Sequence, residues 1–174
     1  VYVGDADTVS DAGRALVDAA TEFEVERHDP YKDYTDLALA LDSVRRRWSG
    51  AEVVATCATG GRPDMALSVL GLLAGYEDAP IWIAEDKVVA RVLHAGESWT
   101  IEGAEGKTFS IIAIAPNTEV SEHGLEWELD HSPLGLLADT GISNIVRSTA
   151  EIEVHTGTAI AYLLHQGFIG TVCE

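Results

Sequence analysis

AEVVATCATGGRPDMALSVLGLLAGYEDAPIWIA, residues 51–84, reads as strand, turn, helix and strand. Ala51–Ala58 is a short apolar run rich in β-branched residues, and Thr59-Gly60-Gly61-Arg62-Pro63 is a tight loop. Residues 64–74 place Ala66, Val69, Leu70 and Leu73 on one helical face, and Pro80–Ala84 is a second apolar strand. Two strands around a helix imply a parallel pair with a helical crossover. The alternation extends upstream. Val1–Val3 reads as a strand ending at Gly4-Asp5-Ala6-Asp7-Thr8, and residues 10–21 as a helix with Ala12, Leu16, Ala19 and Ala20 on one face. Phe23 and Val25 alternate with charges as in a half-buried strand, and His28-Asp29-Pro30 is a loop. Residues 35–48 carry a continuous stripe of Leu37, Leu41, Val44 and Trp48, the signature of an amphipathic helix. Thr35 is its expected N-cap, Asp36 sits in the first turn, and Arg45-Arg46-Arg47 occupies the last turn, where cations favour the helix dipole. Ser49-Gly50 ends it.

Beyond residue 85 the period changes. Val88–Leu93, Ser98–Ile101, Thr108–Ile114, Leu125–Leu129, Ile142–Val146, Glu151–Val154 and Ala159–Leu164 read as strands. Turn signals separate them, among them Gly103–Gly106, Pro116-Asn117, His131-Ser132-Pro133 and Thr156-Gly157. Short strands at this spacing suggest an antiparallel sandwich or barrel. The expected fold is therefore α/β: a parallel-sheet domain over residues 1–85, then an antiparallel sandwich or barrel over 86–174, with the boundary near Glu85-Asp86. The chain opens at Val1, already in a strand, so an upstream part of the sheet is expected to be missing.

Composition narrows the function. The 174 residues are 47% hydrophobic, enough to build a core, and no apolar run approaches the ~20 residues of a membrane span. Residues 1–10 lack the basic start and apolar stretch of a signal peptide, and the two cysteines, Cys57 and Cys173, form no disulfide framework or zinc pattern. A cytoplasmic location is the default expectation. Acids outnumber Lys and Arg 29 to 11, a formal net charge of -18, which argues against a nucleic-acid backbone as partner. Residues 76–174 hold 16 of the acids and 4 of the bases. Solubility and a site for a cationic ligand both account for this surplus.

In open parallel sheets ligands bind beyond the carboxyl ends of the strands. There this sequence offers Asp5 and Asp7, then Lys32-Asp33-Tyr34-Thr35-Asp36, then Gly60-Gly61-Arg62-Pro63-Asp64. Carboxylates on short loops suit Mg²⁺, which takes oxygen ligands and commonly sits beside phosphates. Lys32 and Arg62 supply charge for phosphate oxygens, and the Gly60-Gly61 amides precede a helix N-terminus. Each segment alone also has a structural explanation as a cap or turn. Their joint occurrence points to phosphoryl transfer. No Walker motif, GxGxxG or GxSxG is present, and the six histidines show no ligand spacing.

The order of these motifs resembles the thiamine pyrophosphokinase family, whose members show GDxDS, then [Q/K]DxTD, then GGRxDH segments. The counterparts here are Gly4–Thr8, Lys32–Asp36 and Gly60–Met65, and the resemblance continues in Gly124-Leu125-Glu126-Trp127-Glu128-Leu129 and Gly141-Ile142-Ser143-Asn144. It implies an α/β nucleotide-binding catalytic domain over residues 1–85 followed by a β-sandwich thiamine-binding domain over 86–174. It also implies transfer of a diphosphoryl group from ATP to thiamine, giving AMP and thiamine diphosphate, with a Mg²⁺ requirement and a homodimer whose thiamine sites lie at the subunit interface. By that resemblance Asp5, Asp7 and Asp36 are the metal ligands. Lys32, Asp33, Thr35, Gly60, Gly61, Arg62 and Asp64 line the ATP phosphates and reacting centre, with Asp36, Arg62 and Asp64 in catalytic roles. Trp127 packs on the thiamine pyrimidine, and Ser143 and Asn144 are its polar contacts. Met65 stands where the family usually has His, Thr8 replaces Ser, and the family's upstream acidic-glycine segment has no counterpart. A non-catalytic thiamine- or nucleotide-binding module and a diphosphokinase with another alcohol acceptor are the rival expectations.

Overall fold

Thr35 and Ser10 start the first two helices as their side chains require. In a computed structural model that describes residues 1–85 and 87–165, Ser10 Oγ accepts from Gly13 N at the start of α1 (Asp11–Asp18), and Thr35 Oγ1 accepts from Ala38 N at the start of α2 (Asp36–Arg47). The chain forms two compact units, Val1–Ala51 and Glu52–Glu174. In the first, β1 (Tyr2–Gly4) pairs in parallel with β2 (Val25–Arg27), and α2 packs against β1. Leu41 is buried as its place on the apolar stripe demands, whereas Trp48, at the end of that stripe, is exposed. The arginines at the end of α2 do more than meet the helix dipole. Arg46 and Arg47 pair with Glu26, Arg47 also pairs with Glu24, and buried Ser43 donates to Glu26 Oε1 at 2.8 Å. These contacts tie the last turns of α2 to β2. They hold the Glu26 carboxyl at a pKa of about 2, chiefly through the hydrogen bond from Arg47.

The second unit begins with β3 (Val53–Thr56), α3 (Pro63–Ala74) and β4 (Ile81–Glu85), and β3 and β4 pair in parallel as residues 51–84 predict. The remaining strands are β5 (Val88–His94), β6 (Ser98–Ile101), β7 (Thr108–Ala113), β8 (Thr118–Leu125), β9 (Leu129–Leu134), β10 (Asn144–Thr156) and β11 (Thr158–Leu164). Hydrogen bonding joins them in the order β3-β4-β5-β11-β7-β10-β8-β9, with β6 on β10. The expected boundary near residue 85 does not coincide with the division into compact units. Antiparallel pairing of β4 with β5 carries one sheet from the parallel pair into the antiparallel strands. Asp86, half of that boundary, and Cys173 lie outside the described residues.

Two expectations about the strands are corrected. Leu125–Leu129 is not one strand, because Leu125 ends β8, Leu129 begins β9 and residues 126–128 connect them, and His131-Ser132-Pro133 lies inside β9 rather than forming a turn. A proline is tolerated there because β9 is an edge strand, paired among the described residues only with β8. The segments expected as two strands, Ile142–Val146 and Glu151–Val154, are one long β10 whose register shifts between Val146 and Glu151. Polar Arg147-Ser148-Thr149 at that irregularity mimics a turn in the sequence. Beginning at Asn144, β10 pairs first with β7 and then runs between β6 and β8. One core serves β5 to β11, with Phe109, Ile111, Val120, Val146, Ile152 and Val154 at its centre. Trp82 and Trp99 pack edge to face with ring centroids 5.3 Å apart. Among the described residues no helix is long and apolar enough to cross a membrane.

Candidate functional site

In the first unit, the end of β1 and the start of α2 bring together Asp5, Lys32 and Asp36. Lys32 Nζ pairs with Asp5 Oδ2 and lies 2.9 Å from Asp36 Oδ1. Asp5 Oδ1 also accepts from Asp7 N at 3.0 Å. The hydrogen bond from Lys32, helped by the Asp7 amide, holds the Asp5 carboxyl at a pKa of about 2, and Asp5 in turn raises the pKa of Lys32. Gly4 is what lets Asp36 approach. Its φ is 149°, and a Cβ there would sit 2.6 Å from Asp36 Oδ2. Thus α2 delivers Asp36 onto a strand end kept bare for it. Asp7 and Asp33 are exposed, and the Thr35 hydroxyl is engaged as the α2 cap.

This arrangement bears on the Mg²⁺ ion that the resemblance implies. Two carboxylates that share one ammonium have the donor chemistry and convergence that a small divalent cation needs, so Asp5 and Asp36 fit. Asp7 does not close a third position. Among the described residues, no three acids, histidines or cysteines converge closely enough to hold a metal.

In the second unit the Gly60-Gly61 turn leads into α3 with Arg62 as N-cap and Pro63 in the first turn. Arg62 grips Asp64 through two hydrogen bonds, with its Nε 3.1 Å from Asp64 Oδ1. Both side chains are exposed, and the pair lowers the pKa of Asp64. The loop after β3 is shaped by Glu85, a residue that sequence reasoning placed only at a domain boundary. Glu85 Oε1 accepts from the amides of Ala58 (2.9 Å) and Thr59 (3.2 Å) and from the Thr59 hydroxyl (3.2 Å). Burial opposes its ionisation, but these donors outweigh burial and lower its pKa. Cys57, at the start of this loop, is exposed with a φ of 54°.

The third group surrounds a cleft of about 220 Å³ lined by Glu122, Trp127, Leu129, Gly141, Ile142 and Asn144, among others. Trp127 is 61% exposed, so packing in a strand core does not account for it. Asn144 is buried, and its amide brackets the Trp127 backbone. Oδ1 accepts from Trp127 N (3.1 Å) and Ile145 N (2.9 Å), while Nδ2 donates to Trp127 O (2.7 Å) and Glu122 Oε2 (3.3 Å). All four hydrogen-bonding positions of this amide are used, so Asn144 positions Trp127 and leaves no polar atom for a ligand. Ser143 is exposed with a φ of 61°, and its amide donates to Ser110 Oγ at 3.0 Å. Glu122 was not expected from the sequence. It is fully buried, its Oε1 has no hydrogen-bond partner among the described residues, and burial, partly offset by Asn144, pushes its pKa up to about 7.

This cleft falls within the stretch that matches a known family model. Residues 98–160 match the model described as "Thiamin pyrophosphokinase, vitamin B1 binding domain". This chain is similar to the thiamine pyrophosphokinases. It is 28% identical over 157 residues to thiamine pyrophosphokinase 1 of Arabidopsis thaliana, covering 84% of this chain and 58% of that protein. The chain thus spans less than two thirds of that relative. Its fold is that of two solved structures. The first is thiamine pyrophosphokinase from Bacillus subtilis, with 22% identity, a TM-score of 0.73, and 94% of this chain and 78% of that one covered. The second is a thiamin pyrophosphokinase family protein from Enterococcus faecalis, with 21% identity, a TM-score of 0.77, and coverage of 95% and 79%.

Proposed function

We propose that this chain transfers a diphosphoryl group from ATP to the hydroxyl of thiamine, releasing AMP and thiamine diphosphate. The observation that carries the reading is the cleft at Trp127, which lies inside the stretch matching a vitamin B1 binding domain. At about 220 Å³ it is smaller than the roughly 300–1,000 Å³ of a whole-ligand pocket, so it suits one ring of a larger molecule. An exposed indole face beside acidic groups favours a heteroaromatic ligand that carries positive charge.

In this reading the hydroxyl of thiamine attacks the β-phosphorus of ATP and AMP leaves. Asp5 and Asp36, with Asp7 nearby, would hold Mg²⁺, which when bound supplies charge neutralisation on the phosphate oxygens. Lys32, already held between Asp5 and Asp36, supplies fixed positive charge to the same oxygens, and Gly60 and Gly61 offer backbone amides before α3. Arg62 presents a two-pronged donor that now grips a carboxylate and has the geometry to grip a phosphate. Asp64, with its lowered pKa, is a weak base and is suited to orienting the alcohol rather than abstracting its proton. The active form is a homodimer with sites shared between subunits, and the catalytic α/β part is followed by a sandwich. The exposure of Trp127 and Ile142, which both line the cleft, supports a covered surface there.

The test is calorimetry with thiamine and with a non-hydrolysable ATP analogue, run beside an AMP-release assay in Mg²⁺. Binding of both with AMP formation supports the reading. Binding without AMP identifies a non-catalytic module.

A further inference from the structure

We propose that Glu122 is the specificity-determining residue of the cleft, its unpartnered Oε1 accepting a hydrogen bond from an N–H group of a nitrogen heterocycle seated against Trp127. The identity of that heterocycle as the aminopyrimidine of thiamine rests on the proposed function. The contact itself rests on geometry.

The walls of the cleft provide few polar atoms. Asn144 has spent its amide on Trp127, Ile145 and Glu122. Glu122 divides its carboxyl, with Oε2 taken by Asn144 Nδ2 and Oε1 left buried without a partner among the described residues. A buried acceptor left unmade costs free energy that a matching donor recovers. Such a site discriminates strongly against an analogue that lacks the donor. Gly141 borders this oxygen. Its φ is 90°, a Cβ there would meet Ile111 Cγ2 at 2.7 Å, and Glu122 Oε1 lies 3.8 Å from that same Cβ position. Strand alternation places Glu122 on the same inward face of β8 as buried Thr118 and Val120, a position where a carboxylate is out of character. With no cation paired to it, no salt bridge explains it either among the described residues.

Two variants test the contact. Glu122→Gln keeps the shape but has one oxygen, so either Asn144 Nδ2 or the ligand N–H must face an amide NH₂. Glu122→Met removes the acceptor. The probes are thiamine, 4-amino-5-hydroxymethyl-2-methylpyrimidine and the same pyrimidine without its amino group, titrated calorimetrically at pH 8 with folding confirmed by circular dichroism. The wild-type chain is expected to bind the aminopyrimidine probes at least about tenfold more tightly than the desamino probe. Both variants should lose roughly tenfold or more for the amino probes and little for the desamino one, which removes the discrimination. Thiamine binding of equal strength in wild type and both variants overturns this inference and leaves the proposed function standing. Binding of the pyrimidine with Glu122-dependent discrimination, but no binding of thiamine, supports the contact and overturns thiamine as substrate. Failure of the wild-type chain to bind any of the three overturns both.

Discussion

Replacing Glu122 by Gln should change how stability depends on pH. Burial lifts this carboxyl from an ordinary 4.5 to about 7 in the folded chain. Between those values the folded state holds a proton that the unfolded state has released, so stability falls as pH rises from about 4.5 to about 7 and levels off above. The displacement corresponds to about 3 kcal/mol. That is a sizeable part of the roughly 5–15 kcal/mol that typically holds a domain folded. Gln cannot ionise. Its unmatched NH₂ group costs stability equally at every pH, so only the slope reports the carboxyl. Urea unfolding of wild type and variant from pH 4.5 to 8.5 isolates the effect, because other titrating groups cancel in the difference. Relative to wild type, the variant should gain about 3 kcal/mol across the window, a midpoint shift of roughly 1 M or more in urea. Parallel profiles would refute the claim that Glu122 is buried and nearly unpaired.

Three further predictions follow from the same contacts. Asp36→Asn should lower turnover about 100-fold or more with circular dichroism unchanged, and near-normal rates would remove Asp36 from the reacting centre. Lys32→Met should raise the Asp5 carboxyl from about 2 toward its ordinary value of 3.8, with the Asp7 amide still holding it below that value, read by carboxyl carbon NMR. The pair's stabilisation, present above that ordinary value and lost as pH falls toward about 2, should vanish in the variant. An Asp5 titration that does not move would show that Lys32 is not its partner. Asn144→Ala should cost about 2 kcal/mol or more by stranding partners at Trp127, Ile145 and Glu122, and should shift tryptophan emission as Trp127 loses its bracket. Unchanged stability and emission would contradict the bracket.

Much of this was written in short-range pattern. Residues 51–84 specify β3, α3 and β4 because apolar runs, glycines and a first-turn proline all agree there. The Thr35 cap and the buried Leu41 of α2 follow from local rules in the same way. Asp5, Lys32 and Asp36 were singled out as chemistry, but their mutual pairing is a tertiary fact that spacing does not encode. β8 was hidden because Glu122 interrupts the inward face it shares with Val120 and because Ser121 and His123 are polar as well, and the polar middle of β10 split one strand into two. Glu122 itself reads as a surface acid on any hydropathy scale. Only its burial in the folded chain marks it as a site residue. Asn144 carries the opposite lesson. The motif marks it, and the structure gives it the task of holding Trp127.

The opposed demands at the two sites, a fixed cation beside Asp5 and Asp36 and an aromatic wall at Trp127, converge on one chemical claim. The most direct test is to incubate the purified chain with ATP, Mg²⁺ and thiamine and to quantify every nucleotide and thiamine species by chromatography. The account predicts AMP and thiamine diphosphate in equal amounts, with neither formed when thiamine is omitted. ADP with thiamine monophosphate, or no thiamine diphosphate at saturating substrates, would contradict it.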